Sequence, residues 1–173
     1  MKRNNKGFSL IELIVVIALV GVLTAVIAPA LQQLVSSEAR KCSSQIDSLL
    51  SKCKIFSMGR QGDVYIRIYE VNGKIMGEYI ENGAIISTEQ LGGRRASVSV
   101  TPISDAAYTI SSSNSLYISF SRATGGLRLF SPTLPTTIPA SPIEIGTAKI
   151  EVTASGKTYT VDIASSTGKH GVS

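Results

Sequence analysis

The chain has 173 residues and a formal net charge of +5. This length allows one domain with appendages and is long enough to bury a hydrophobic core. Three of the seventeen basic residues, Lys2, Arg3 and Lys6, precede Phe8. The rest of the chain therefore has fourteen basic and twelve acidic residues. So small an excess excludes the basic footprint that is typical of a dedicated nucleic-acid-binding domain.

The first predicted element is an apolar helix over residues 8–28, in which Glu12 is the only charged residue. At 1.5 Å per residue such a helix is about 31 Å long, which is the thickness of one hydrocarbon core. The basic residues before it predict a single membrane pass with the N-terminus inside and the chain exported after Leu31. A carboxylate at a bilayer centre costs about 2.5 kcal/mol or more, which makes Glu12 a candidate functional residue.

Two simpler interpretations of this segment compete. The first is a cleaved secretory signal with Ala28-Pro29-Ala30 as its small-residue cleavage site, and the second is an uncleaved signal anchor. Both interpretations leave Glu12 without a partner in the apolar run. In the first, Pro29 also falls within the cleavage site.

The segment KGFSLIE at residues 6–12 follows a short basic leader and opens the apolar helix. It resembles the class III signal of type IV pilins and pseudopilins. The resemblance implies that residues 1–7 are a leader peptide, that prepilin peptidase cuts after Gly7, and that the new N-terminus, Phe8, is N-methylated. It further implies that residues 8–31 are a membrane and polymerisation helix, and that Pro29 kinks this helix.

The resemblance also gives Glu12 a role in assembly. The mature amine of Phe8 is a cation in an apolar bundle, and in a filament it meets Glu12 of a neighbouring subunit. Buried charges are tolerated when paired, and such a pair sets register more than it adds stability. The implied partners are prepilin peptidase, other pilin or pseudopilin subunits, the inner-membrane assembly platform and the cytoplasmic membrane. The precursor is expected in the inner membrane with its head exported, and afterwards in a filament or at the cell surface.

Residues 32–58 are predicted to continue the helix in amphipathic form. Apolar residues recur there at alternating spacings of four and three, which places them on one helical face. They are Val35, Ala39, Cys42, Ile46, Leu49, Cys53 and Phe56. Such a stripe requires a covering layer. The glycines at 59 and 62 are predicted to end the helix, with Gly59 as its C-cap.

Both cysteines, Cys42 and Cys53, lie on this stripe. On one continuous helix their Cα atoms are about 16 Å apart, well beyond the limit of about 7 Å for a disulfide. The preferred interpretation is that both are small buried core residues. A bridge between subunits, or a helix broken before Cys53, remains open.

Residues 59–173 are predicted to form a β-rich head, because short apolar runs with period-two alternation are separated by turn signals. The predicted strands are residues 64–69, 74–80, 84–87, 97–100, 116–120, 127–130, 149–153 and 158–163. Asn72-Gly73, Asn82-Gly83 and Ser155-Gly156 are hairpin turns. Four prolines between 132 and 142 predict a loop, and the polar tail at 165–173 is predicted to fray.

One long helix followed only by strands predicts the α+β class, with the helix stripe covering an antiparallel sheet. A second resemblance concerns the strand pair within residues 116–130 and the hairpin that ends in Thr167-Gly168-Lys169. These segments are similar to the H-type, FimT-like minor pseudopilins.

Residues that carry chemistry are few. The single histidine, His170, lies in the polar tail and is interpreted as a disordered surface residue. No catalytic residue, cofactor site or metal site is predicted, because the cysteines and histidine lack ligand spacing and no phosphate-binding glycine loop is present. Candidate nucleic-acid contacts are limited to five cations, which are Arg94, Arg95, Arg122, Arg128 and Lys169. The simpler interpretation is that these are solvated surface charges.

The sequence thus favours a structural function. The prediction is a subunit, and more specifically a minor subunit, of a type IV pilus, type II secretion pseudopilus or competence filament. The alternative is a ligand-binding or DNA-binding minor pilin in adhesion or DNA uptake, whose DNA binding would weaken steeply with salt. An exported enzyme is a third class, for which no residue is nominated.

Overall fold

The computed structural model describes residues 10–173, and it describes the side chains of all of these except residues 26–36. The chain divides into two compact units, Met1–Val35 and Ser36–Ser173. The second unit contains every β-strand of the described residues and forms the head.

Helix α1 runs from Leu10 to Gly59. Its end agrees with the prediction, although the first left-handed residue after it is Gly62, with φ of 100°, rather than Gly59. The predicted stripe is confirmed from Ala39 onward, since its members are buried as far as Cys53 and Phe56 is half-buried. Val35 lies outside the described side chains. The stripe therefore faces the core.

Ten strands follow α1, and all eight predicted strands are confirmed. They are β1 Val64–Val71, β2 Lys74–Glu81, β3 Ala84–Gly92, β4 Ser97–Thr101, β5 Tyr108–Thr109, β6 Leu116–Phe120, β7 Leu127–Ser131, β8 Thr147–Ala154, β9 Lys157–Ala164 and β10 Lys169–Val172. The proline-rich segment between β7 and β8 contains no strand, as predicted.

The strands form two antiparallel sheets of five strands each. The first sheet has the order β3-β2-β1-β6-β7, and the second has the order β10-β9-β8-β4-β5. The three predicted hairpin turns are confirmed, because Asn72, Asn82 and Ser155 have φ of 53°, 50° and 51° and each precedes a glycine with positive φ. Two successive left-handed residues make a turn that matches the twist of the strands.

The core lies between the α1 stripe and both sheets. One cluster of buried side chains includes Ile46 and Leu49 of the helix, Ile66 of the first sheet, and Val152 and Val161 of the second. The α+β class with a C-terminal antiparallel domain is confirmed. The division of the β-structure into two sheets was not predicted.

The predicted fraying of residues 165–173 is wrong. Strand β10 pairs with β9, with Lys169 opposite Ala164 and Val172 opposite Val161. The strand has little hydrophobic signal of its own, and its order comes from the ladder that it forms with β9. The two-residue strand β5 was missed for the same reason, since it exists through its pairing with β4.

Ser165 is fully buried where β9 ends, and every hydrogen-bonding group on it has a partner. Its N–H donates to the Gly146 carbonyl at 3.0 Å, and its carbonyl accepts from the Leu127 N–H at 2.7 Å. Its hydroxyl donates to the Glu144 carbonyl at 2.7 Å and accepts from the Gly146 N–H at 2.9 Å. Ser165 therefore joins the end of β9 in the second sheet to the start of β7 in the first.

Candidate assembly site

The N-terminal part of α1 has an apolar surface with one charge. Every side chain at residues 10–25 is exposed, with Leu10 at 77% and Ile17 at 61%. Apolar side chains surround the whole helix here, which is unlike the one-sided stripe further along. A helix that is apolar on all sides requires an apolar environment on all sides.

Glu12 is the only acidic or basic residue at positions 10–25. Its side chain is exposed in the first turn of α1. The hydroxyl of Thr24 donates to the carbonyls of Val20 and Gly21 at 2.9 and 3.0 Å, so the helix itself satisfies this polar group. The Glu12 carboxylate is then the feature that interrupts the apolar surface.

The other predicted residues of this segment are placed as follows. Gly7 and Phe8 lie outside the described residues, so their roles stay predictions. Pro29 lies within α1, in the part whose side chains are not described, and the predicted kink stays a prediction. Within the described residues, none of the helices has a stretch both apolar and long enough to span a bilayer.

Two of the five candidate nucleic-acid cations, Arg94 and Arg128, lie in different parts of the head. Arg94 is exposed after β3 and approaches the turn at Gly73, where its Cγ lies 3.4 Å from the position of a Cβ on that glycine. Arg128 in β7 pairs with Asp63 at 3.0 Å. Asp63 and Gly73 flank opposite ends of β1, a strand of eight residues that extends about 25 Å. Arg94 and Arg128 therefore do not converge.

Arg128 is held by the protein itself. Its side chain is only 15% exposed, and its Nε donates to the hydroxyl of Ser119 at 2.9 Å. That hydroxyl in turn donates to the Val64 carbonyl at 2.6 Å. Arg128 thus has a structural role between β7, β6 and β1. Arg95, Arg122 and Lys169 are exposed, and their predicted contact with nucleic acid stays a prediction.

His170 is ordered, which corrects its interpretation as a disordered surface residue. Its Nδ1 lies 2.8 Å from the Gly168 carbonyl and its Nε2 lies 2.9 Å from the hydroxyl of Ser51 in α1. A carbonyl only accepts, so Nδ1 carries the proton, and in the neutral ring Nε2 accepts from Ser51. The ring also lies 6.2 Å from that of Phe120. His170 therefore attaches β10 to the helix.

Cys42 and Cys53 are both free and fully buried, which confirms their place on the core stripe. Burial raises the pKa of both thiols from 9.0 to about 12, with Glu38 adding to the shift at Cys42. A thiol with so high a pKa is a poor nucleophile at neutral pH. Elsewhere in the described residues, histidine, cysteine and acidic side chains do not gather into a group of three that could hold a metal ion.

Some exposed apolar residues of the head were missed. Ile55 and Met58 of α1 lie outside the buried stripe, at 67% and 46% exposure, and Ile85 and Ile86 of β3 are similarly exposed. The sequence contained two signals of this exposure. Ile55 and Met58 are spaced by three residues but lie off the helical stripe, and the adjacent Ile85 and Ile86 break the alternation expected of a strand.

Comparison of the chain with curated proteins and with solved structures found no match. A protein-family model described as the prokaryotic N-terminal methylation motif matches residues 2–28. The matched residues include the segment KGFSLIE and the exposed apolar part of α1 that carries Glu12. The N-terminal part of the chain is therefore similar to the methylation motif, and this match supports a type IV pilin or pseudopilin.

Proposed function

We propose that the chain is a structural subunit of a type IV pilus, type II secretion pseudopilus or competence filament, assembled through its N-terminal helix. The observation that carries this proposal is the methylation motif at residues 2–28. The motif overlaps residues 10–25 of α1, where exposed apolar side chains surround the helix. A filament core supplies the apolar surroundings that such a helix requires.

Before assembly the precursor resides in the cytoplasmic membrane with residues 1–7 inside and the head outside. Prepilin peptidase cuts after Gly7 and methylates Phe8. Glycine suits the cut because it has no side chain to obstruct the approaching enzyme. Support for the topology comes from the basic residues that precede the apolar run, since positive charges are retained on the cytoplasmic side.

During assembly the carboxylate of Glu12 pairs with the Phe8 amine of an adjoining subunit. The support is electrostatic, because an exposed carboxylate in an apolar surface becomes a buried charge when that surface is covered. Pairing with a cation offsets this cost and selects the axial position at which the two charges meet. Glu12 thus sets the axial register between neighbouring subunits.

The proposal extends to the class of subunit, which we take to be a minor, H-type one. The two segments that carry this resemblance are in contact in the head. A Cβ at Gly126 would lie 2.7 and 2.6 Å from the carbonyl oxygens of Ser165 and Ser166, so the glycine turn after β6 packs directly on the segment before β10. Support for the subtype comes from the resemblance of these two segments, and the close approach explains why glycine stands at position 126.

N-terminal sequencing of the protein purified from its native host tests the proposal. The expected result is N-methylphenylalanine at Phe8, from a chain recovered in the membrane and in sheared filaments. A mature chain that begins near Leu31 would mean cleavage by an ordinary signal peptidase and would refute the proposal. A chain that retains Met1 in the membrane would show a signal anchor instead.

A further inference from the structure

Among the described residues, the head has four edge strands, which are β3 and β7 in the first sheet and β10 and β5 in the second. Strand β5 has two residues, and β10 has four and is bonded to α1 through His170. Strand β7 has five residues, and the N–H and carbonyl of Leu127 at its start bond to Ser165 and Ile143 outside the sheet. Strand β3 has nine residues, and within the described part of the chain no group outside the ladder hydrogen-bonds to its backbone. It is therefore the long, open edge of the head.

Turn geometry determines which backbone groups of β3 face its neighbour β2. The turn Asn82-Gly83 joins the two strands, and its two-residue length makes the flanking pair, Glu81 and Ala84, exchange both N–H···O bonds. Bonded and non-bonded pairs then alternate along the ladder. With one extra residue at the bulge, the next bonded residues of β3 are Ser87 and Glu89. The β3 edge consists of the residues whose backbone N–H and carbonyl face away from β2, which are Ile85, Thr88 and Gln90.

The β3 edge has little of the protection that is usual for an exposed strand. Bulges are one such protection, and the two in this ladder fall at Tyr79/Ile80 and at Ile75/Met76. Between them, residues 87–90 pair with β2 in unbroken register. Lysine and proline are the other common protections, and β3 contains neither. The stretch between the bulges is thus open to a further strand.

The two faces of β3 differ in chemistry. Ile85 lies opposite Ile80 on the face away from α1, and it is 58% exposed. Ser87 and Glu89 lie on the face towards α1, where Lys52 donates to the Ser87 hydroxyl at 3.2 Å. Glu89 is the one charged residue of β3, and it is exposed and takes part in no ion pair of the described residues. A strand added at this edge therefore meets an apolar residue on one face and a carboxylate on the other.

We propose that the β3 edge binds an extended strand from a different subunit of the same filament. Thr88 and Gln90 form main-chain hydrogen bonds with this strand. The strand carries an apolar side chain beside Ile85 on one face and a lysine or arginine beside Glu89 on the other. Strand addition takes its affinity from the main-chain bonds and its specificity from the alternate side chains. The proposal rests on the proposed function for the presence of other subunits, and it assigns where and by what chemistry one of them docks.

A second copy of this chain fits the β3 edge poorly. Strand β3 runs antiparallel to α1, since Ser87 contacts Lys52 whereas Gly92 lies against Cys42, nearer the start of the helix. Antiparallel pairing of two β3 edges would point residues 36–59 of the two copies in opposite directions, although chains in one membrane enter their heads from the same side. Parallel pairing would shift the two identical strands by one residue, because outward residues of one must lie level with inward residues of the other. The copies would then make unequal contacts, unlike those of most homo-oligomers.

Photo-cross-linking of the full-length chain in its native host tests this contact. The probe is p-benzoylphenylalanine at Ile86, the exposed bulge residue beside the β3 edge. The matched control places the probe at Thr136, which is exposed in the proline-rich loop. The expected result is an adduct from position 86 with a chain of different sequence, identified by mass spectrometry, and none from position 136. An adduct of two copies of this chain, or no adduct above the control, would overturn the proposal.

Thr88→Pro, in the same cross-linking background, tests whether the partner pairs with the backbone. Proline removes the outward N–H and leaves the ladder with β2 intact, whereas Thr88→Ala keeps the N–H and shortens only the side chain. The proline variant is expected to lower the adduct yield about tenfold, and the alanine variant is expected to leave it unchanged. Equal yields from the two variants would overturn strand addition. A proline variant that melts well below the alanine variant would place the Thr88 N–H in the ladder, which also overturns it.

The charge of Glu89 supplies the second measurement, in the same background. Glu89→Lys is expected to lower the adduct yield about fivefold, because it places like charges beside the partner's basic residue, and Glu89→Gln about twofold. Position 89 is exposed, so both variants keep the fold. A lysine variant that cross-links as well as the wild type would overturn the basic partner residue and the proposal with it.

N-terminal sequencing of the cross-linked samples separates this proposal from the proposed function. A chain that begins at Phe8 but forms no adduct overturns the strand contact and leaves the proposed function intact. A chain that begins near Leu31 and still forms an adduct sensitive to Thr88→Pro supports the strand contact. That result would refute the proposed function and the filament origin of the partner.

Discussion

The hydroxyl of Ser51 and Nε2 of His170 are joined by a hydrogen bond of 2.9 Å between residues 119 apart in the chain. The bond links the helix that opens the head to a strand near the other end of the sequence. With the bond from Nδ1 to the Gly168 carbonyl, it uses both ring nitrogens of the histidine. Strand β10 is therefore held by the β9 ladder on one side and by α1 on the other.

Removal of the histidine ring is expected to loosen β10. His170→Ala should lower the free energy of unfolding by about 1–2 kcal/mol, because two hydrogen bonds and the contact with Phe120 are lost together. Ser51→Ala should cost about 1 kcal/mol, and the double variant should cost less than the sum. Denaturant unfolding gives these values. Hydrogen exchange provides the readout specific to β10, since its amides should lose protection in His170→Ala; unchanged protection would contradict the role given to this bond.

A fragment that begins at Gln32 is expected to be soluble and monomeric. It lacks the exposed apolar side chains of residues 10–25 but retains all the strands and the buried helix stripe. Size-exclusion chromatography at micromolar concentration checks this, because the apolar helix surface through which copies are proposed to assemble is absent from the fragment. Aggregation of this fragment would mean that the head needs the N-terminal helix to fold.

Both thiols are expected to be unreactive in the folded head. Their pKa values are raised to about 12, so the thiolate does not form at pH 8 and alkylation should need unfolding. The raised pKa also sets a pH dependence. In the unfolded chain the thiols ionise above about pH 9, whereas in the folded chain they stay neutral, so stability should fall as pH rises from about 9 to 12. Cys53→Ala should flatten this decline, and rapid alkylation without denaturant would contradict the buried positions.

Glu12→Ala is expected to separate assembly from processing. Membrane insertion should be equal or better, since a charge is removed from an apolar helix, and cleavage after Gly7 should persist. Incorporation should fail, because the Phe8 amine of the adjoining subunit loses its partner at about 3–5 kcal/mol per broken pair. Glu12→Asp should rescue in part, with a carboxylate one methylene shorter. The measurement is the amount of each variant in the membrane fraction and in sheared filaments. An alanine variant that enters filaments as well as the wild type would exclude pairing of Glu12 across subunits.

Arg128→Ala is expected to act on stability and not on a ligand site. It removes the ion pair with Asp63 and the bond to Ser119, which should cost about 1–3 kcal/mol. Arg122→Ala is the matched control, since Arg122 is exposed in the neighbouring turn and should change stability by at most about 0.5 kcal/mol. Thermal unfolding of both variants measures the difference. Equal melting temperatures would show that Arg128 is available for other partners.

The sequence predicted those parts of the fold that local rules determine. The Asn-Gly and Ser-Gly steps require left-handed backbone, and the three hairpins form where these steps occur. The helical stripe follows from spacing alone, and its members from Ala39 to Cys53 are buried. The methylation motif was also readable locally, because a basic leader, a glycine and a glutamate in an apolar run are features of consecutive residues.

Features that depend on distant residues were not predictable in this way. Lys169 to Val172 form a strand because β9 lies beside them, and nothing in four mostly polar residues indicates this. His170 is ordered by Ser51, and Arg128 is held by Asp63, a residue 65 positions away. The second sheet arises because β4 pairs with β8 across a long stretch of chain. In each case the tertiary contact decides what the local sequence leaves open.

The position of Ser165 has a consequence for how the head comes apart. Its four hydrogen bonds connect the start of β7 and the segment before β8 at a fully buried point. Neither sheet can separate from the other without exposing the shared core and leaving these buried polar groups unsatisfied, which costs about 1–3 kcal/mol for each group. Unfolding of one sheet alone therefore has two costs in free energy, which are the exposure of the shared core and the loss of these hydrogen bonds. The head should lose both sheets in a single cooperative transition, with equal calorimetric and van't Hoff enthalpies.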